Sequence, residues 1–154
     1  MGTTWQEVHI EAPVEKVFAF FADPNNFNQL EGRGGDYVDV VVTPQGVGTH
    51  YRMVSRMAGV EVDIDGRYTE VVPNRRIVDD TRGSLAGDVL GGSFTYRFEP
   101  EGTGTRVVFD HTHPGVVSRL PLLGHVIETQ LAHSNQPVMD ELKALLERWA
   151  RDAP

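Results

Sequence analysis

Residues 120–149 read LPLLGHVIETQLAHSNQPVMDELKALLERW. Stepped at the helical repeat of roughly 100° per residue, Leu120, Leu123, Ile127, Leu131, Val138, Leu142, Leu145 and Trp149 fall on one stripe. The spacing predicts a long amphipathic helix whose apolar side is too wide to face water, so the rest of the chain must cover it. Pro121 suits the first turn, where its missing N–H costs nothing. Pro137 lies inside the pattern and predicts a kink near His133–Ser134, or two helices in series. Ser134 and Asn135 share the apolar stripe and Glu128 lies at its margin. With Leu131, Glu128 and Asn135 are candidates for lining a cavity. The alternative is a plain core helix with its polar positions at the kink or rim. His125 and His133 fall off the stripe, toward solvent.

Before this helix the chain alternates. Thr3–Glu11 reads as a strand, and Ala12-Pro13 opens a helix carrying Val14, Val17, Phe18 and Phe21 on one side. Asp23-Pro24 stops it, and Asn25–Leu30 makes a short second helix or turn with Phe27 and Leu30 inward. Six runs follow: Tyr37–Thr43, Thr49–Met57, Val60–Val72, Arg75–Arg82, Ser93–Glu99 and Thr105–His113. Turn signals separate them, as in an antiparallel meander. Glu31–Gly35 and Gly83–Gly92 read as glycine-rich loops. Alternation places Tyr51, Met53 and Met57 inward on one strand, Val60, Val62, Ile64 and Tyr68 on the next, and Phe94, Tyr96 and Phe98 on a third. On the last, Val107 and Phe109 face in and carry His111 and His113 to the same side.

Composition narrows the function. An apolar share of 40% and a charged share of 23% over 154 residues describe one soluble globular domain, residues 1–154. Zero cysteines exclude disulfides, cysteine-held metals and thiol catalysis, and fit a reducing cytoplasm. A net charge of −8 with scattered basic residues argues against nucleic acid and anionic membranes. No apolar run approaches a membrane span, and the N-terminus lacks a basic-then-apolar signal. The expected setting is cytoplasmic, as a monomer or homodimer. Nucleotide, hydrolase and zinc-protease motifs are missing from the sequence, so no cofactor is implied.

The order of elements and the local text resemble the START-like (SRPBCC) superfamily, in its polyketide cyclase/dehydrase branch. The resemblance rests on Ile10-Glu11-Ala12-Pro13-Val14-Glu15-Lys16-Val17-Phe18, Asp23-Pro24, Glu70-Val71-Val72-Pro73 before Arg75-Arg76-Ile77, and Thr95-Tyr96-Arg97-Phe98-Glu99-Pro100 with Gly104-Thr105-Arg106-Val107. It spans essentially the whole chain. It implies an α+β helix-grip fold: a seven-stranded curved antiparallel sheet wrapped around a long C-terminal helix, with two short helices between strands 1 and 2. It also implies a deep cavity for a hydrophobic small molecule, in a superfamily of cyclases, lipid carriers, hormone receptors, allergens and chaperone activators. The fold predicts a pocket and leaves the reaction open. Many relatives carry a tryptophan in the short second helix, where Phe27 and Leu30 stand here, so no catalytic assignment crosses that gap. Arg67 and Thr69 lie nearest the cyclases' arginine and serine positions without a motif match.

Three acid/base candidates stand out. His111 and His113 share one face at the end of the last strand, as a proton-transfer pair for aldol condensation or dehydration. Two other readings stay open: two legs of a metal site needing Asp79 or Glu128 as a third, or a strand end turning to solvent before Pro114-Gly115. Asp79 aligns with Ile77 and Thr81, where burial would make it a usable base. A one-residue slip would instead turn Asp80 and Arg82 inward. Tyr51, Tyr96 and Asn135 are candidate hydrogen bonders, with Met53, Phe94 and Phe109 as lining. Two functions follow: a cofactor-independent cyclase or dehydratase acting on a carbonyl-rich substrate, or a non-catalytic carrier of a lipid or quinone. A third is a protein-interaction module that presents the helix and the Gly83–Gly92 loop.

Overall fold

A computed structural model describes residues 3–31, 35–57, 59–85, 88–112 and 135–152. Strand β1 (Thr3–Ile10) is followed by helix α1 (Val14–Phe21) and a 3-10 helix (Pro24–Gln29). Strands β2 (Gly35–Val41), β3 (His50–Met57), β4 (Val60–Val72), β5 (Arg76–Leu85), β6 (Asp88–Glu101) and β7 (Gly104–Thr112) come next, then helix α2 (Asn135–Asp152). The strands form one seven-stranded antiparallel sheet in the order β1-β7-β6-β5-β4-β3-β2. The chain starts on one edge, crosses to the other through α1 and the 3-10 helix, and meanders back until β7 pairs with β1. This is the helix-grip architecture.

Local chemistry explains the crossing. Pro13 is the N-cap of α1 at φ −60°, and the Asp23 side chain accepts from the backbone N–H of Asn25 to start the 3-10 helix. Val17, Phe20 and Phe21 of α1 are buried, and the two phenylalanines stack edge-on with Phe27, whose ring centroid lies 5.9 Å from Phe20 and 5.6 Å from Phe21. Asn28 then copies a strand partner. Its amide nitrogen donates to the Tyr37 carbonyl at 2.8 Å and its oxygen accepts the Tyr37 N–H at 2.9 Å. That pins the start of β2 under the helices. The pairing of β2 with β3 breaks step between Val38 and Val41, where Asp39 adopts φ 52°.

Two expectations change. The glycine-rich segment 83–92 is no open loop: β5 runs to Leu85 and β6 begins at Asp88, with Gly83 opposite Leu90 and Thr81 opposite Gly92. Glycine reads as a breaker in sequence, yet paired backbone satisfies its hydrogen bonds here. A partner-receiving loop at that position is therefore corrected to a hairpin. In α2 the fully buried residues are Met139, Leu142 and Leu146, while Val138, Leu145 and Trp149 are half-buried. Val138, Leu142, Leu145 and Trp149 of the expected stripe pack on the core, and its centre shifts to take in Met139 and Leu146. The described helix begins at Asn135, putting Pro137 in its first turn. Helix α2 lies against α1 and β1: Trp149 stacks on Phe20 at 5.9 Å, and the Glu147 carboxylate accepts the Glu11 N–H at 2.8 Å. The expected kink and Leu120–Ser134 lie outside the described residues.

Candidate functional site

The inner face of the sheet carries one buried acid. Asp79 on β5 is 1% exposed, which settles the register that alternation left open. It faces Tyr68 across β4 and Phe94 across β6. The Tyr51 phenol donates to Asp79 Oδ2 at 2.6 Å, while Oδ1 finds no hydrogen-bond partner among the described residues. Buried carboxylates are normally satisfied on both oxygens, so an orphan needs an explanation.

Tyr51 reaches Asp79 from β3, two strands away, by laying its ring across β4. The residue it crosses is Gly66, where a Cβ would stand 2.2 Å from Tyr51 Cζ and 2.4 Å from its hydroxyl oxygen. A glycine in an otherwise alternating strand marks such a close approach. Tyr51 also packs on Tyr37 with centroids 5.1 Å apart, and Tyr37 on Phe27 at 5.2 Å. Tyr96 packs on Phe21 at 5.3 Å and on Phe109 at 5.6 Å. Tyr68, fully buried, donates to the Phe21 carbonyl at 2.7 Å. All four tyrosines of the chain therefore stand around one carboxylate.

Charge follows from this packing. Burial pushes the Asp79 carboxyl up to about 7. The Tyr51 hydrogen bond works against that rise and the neighbouring Asp80 charge adds to it. The phenols of Tyr37, Tyr51, Tyr68 and Tyr96 are all raised, first by burial and next by the charge of Asp79. An acid held near neutrality in an apolar setting is able to take or give a proton at physiological pH.

The other candidates divide. His111 on β7 is half-buried and stacks on Phe94, centroids 4.2 Å apart and planes 10° from parallel. The cross-strand row runs Tyr68, Asp79, Phe94, His111, so two strand spacings, roughly 10 Å, part the acid from the imidazole. Met53 is half-buried and Phe109 buried on the same face. Arg67 and Thr69 are exposed, on the outer side. His113, Glu128 and Leu131 lie outside the described residues, as does the Asn135 side chain. Among the described residues no three His, Asp or Glu side chains converge as a metal site. Two clefts, of about 360 and 720 Å³, open elsewhere: one beside Gly35 and Glu61, the other beside Pro73 and Arg97. Sequence reading missed the Tyr51–Asp79 pair as a unit. The glycine at position 66 was the available signal.

Solved structures of the same shape are numerous. The Zhui aromatase/cyclase from Streptomyces sp. R1128 superposes with a TM-score of 0.77 at 17% identity, covering 99% of this chain and 96% of that one. Protein CV1439 from Chromobacterium violaceum gives 0.68 at 25% identity, covering 95% and 96%. Protein Ms6760 from Mycobacterium smegmatis gives 0.68 at 17%, covering 93% and 89%. No curated protein matches by sequence. Among the described residues no helix is long and apolar enough to cross a membrane. The family model described as activator of Hsp90 ATPase homolog 1-like protein matches residues 11–147. With that match over most of its length, on a helix-grip fold, the chain belongs to the Hsp90 ATPase activator homolog 1-like family of the START-like superfamily.

Proposed function

We propose that this protein binds an apolar, carbonyl-rich small molecule against the inner face of its sheet and assists its cyclisation or dehydration, without an organic cofactor. One observation carries the reading: the buried Tyr51–Asp79 pair, with one carboxylate oxygen left without a hydrogen bond among the described residues. Asp79 is the general base. Its carboxylate takes a proton from the carbon between two carbonyls, and the resulting enolate carbon attacks a second carbonyl to close a ring. The alkoxide so formed takes that proton back from Asp79, which restores the carboxylate. In a following dehydration the base removes the α-proton while the hydroxyl leaves as water. Tyr51 holds Asp79 in place, and the aromatic rings hold the substrate folded, which supplies much of the rate. His111, with His113 beside it in sequence, gives its proton to the leaving hydroxyl, which the substrate presents between the imidazole and Asp79. The likeness to an aromatase/cyclase supports the class of chemistry.

The test is turnover of a linear triketone ester by the purified protein and its variants. Asp79→Asn is expected to lose roughly 10²–10⁴ in kcat, the usual worth of a positioned base. His111→Ala loses less. Unchanged turnover in Asp79→Asn would remove the enzyme reading.

A second reading, a non-catalytic carrier of a lipid or quinone, draws on the apolar lining of Met53, Phe94 and Phe109. Native mass spectrometry separates the two. A retained quinone or fatty acid that survives incubation unchanged favours the carrier.

A further inference from the structure

The hydroxyl protons around Asp79 are largely spoken for. Tyr51 gives its proton to Asp79 Oδ2. Tyr68 gives its own to the Phe21 carbonyl. Thr81, the next inward residue of β5, donates to the Gly92 carbonyl at 3.0 Å and accepts the Gly92 N–H at 3.2 Å. Along the row through Asp79 the flanking side chains are Tyr68 and Phe94, and neither brings a cation. Among the described residues Asp79 Oδ1 is buried with no hydrogen-bond donor, and in its carboxylate form it only accepts. The open valence of this site is therefore an acceptor.

From this juxtaposition we infer that the site selects ligands presenting a hydroxyl, enolic or phenolic, to Asp79 Oδ1, over the same skeleton bearing only ether or carbonyl oxygens. The inference rests on the reading of this inner face as a ligand site and adds the polarity of the ligand's recognised group. It has a chemical corollary. A poly-ketone offers such a hydroxyl only as its enol, whereas a dehydrated, aromatised ring offers a permanent phenol. The lone pair that receives a proton during reaction is the one that the phenolic product then occupies, so product competes with substrate.

The experiment is calorimetric titration of the full chain with 2-naphthol and 2-methoxynaphthalene, with naphthalene, smaller than either, as the size control. Wild type is expected to bind 2-naphthol roughly tenfold or more tightly than the ether, as befits a hydrogen bond to a charged acceptor. Asp79→Leu should bring the two affinities together. Tyr51→Phe, which frees Oδ2 as a second acceptor, should keep the preference, so the inference stays testable even where Asp79→Leu fails to fold. Equal affinities in wild type, or a preference that persists in folded Asp79→Leu, would overturn the hydroxyl selection and leave the apolar site standing. Failure of all three probes to bind at millimolar concentration would overturn the ligand site, and the selection with it.

Discussion

Asp79 and Asp80 are neighbours on β5, yet they stand in different media. Asp80 is exposed on the outer face. That face is laced with ion pairs: Arg106 bridges Glu7 at 2.6 Å and Glu99 at 3.2 Å, Arg97 meets Asp110 at 2.8 Å, and Arg52 lies between Asp39 and Asp63. The inner face holds Asp79 among aromatic rings, hydrogen-bonded by the Tyr51 phenol. Charge outside is solvated, redundant and individually of little worth. Charge inside is single and costly, and its retention calls for a reason beyond stability. The same residue type, one position apart, serves solubility on one side and chemistry on the other.

The largest test of this contrast is pH. Folding raises the Asp79 carboxyl from the ordinary value of 3.8 to about 7, so the folded state binds the extra proton. Its contribution is complete below pH 4, falls as pH rises toward 7 and is lost above it, roughly 4 kcal/mol across the window. Urea denaturation at pH 5 and pH 8 should show wild type less stable at the higher pH and Asp79→Asn much flatter. His9 adds a slope of the same sign. Its imidazole is raised by the hydrogen bonds it donates to Glu11 and then Glu101, so its contribution is present below 6.5 and lost as pH passes its raised value. The Asn variant keeps that slope and isolates Asp79.

Gly66→Ala comes next. It drives a methyl into the Tyr51 ring and is expected to cost about 1–3 kcal/mol, while prising Tyr51 from Asp79. A melting curve reads the first effect and loss of turnover the second. Tyr68→Phe strips the Phe21 carbonyl of its buried donor and should cost about 1–2 kcal/mol in the same assay. On the outer face, Arg106→Gln should leave the melting midpoint within the scatter of replicates. A large effect there would break the contrast between the faces.

Much of the fold was legible because its signals are local. Turn signals separated the strands and alternation marked the inner face of four of them, Asp23-Pro24 marked the stop of α1, and Pro73-Asn74 marked the turn where Asn74 takes φ 62°. What failed was long-range. Gly83–Gly92 looked open because the strand partners of Gly83, Gly91 and Gly92 are distant in sequence. The helical stripe placed Val138, Leu142, Leu145 and Trp149 against the core, but Met139 and Leu146, both buried, were not on it. The site was half legible for the same reason. Tyr51 and Asp79 were each named, but 28 residues part them. Their meeting depends on the register that sets Tyr51 opposite Gly66 and Gly66 opposite Thr81. No single strand contains that information.

The break in β2 has a consequence for life in a crowded solution. This strand is one of two sheet edges, and Val41 and Val42, at its end, are 49% and 47% exposed. A straight edge with exposed valines is a template on which another chain's strand can pair. Asn28 already occupies the backbone of Tyr37 on that edge, and the left-handed turn at Asp39 breaks the strand just before those valines, with its carboxylate beside Arg52 on the neighbouring strand. The irregularity that fits β2 beneath the helices thus also guards the protein against growing into aggregates from its own edge.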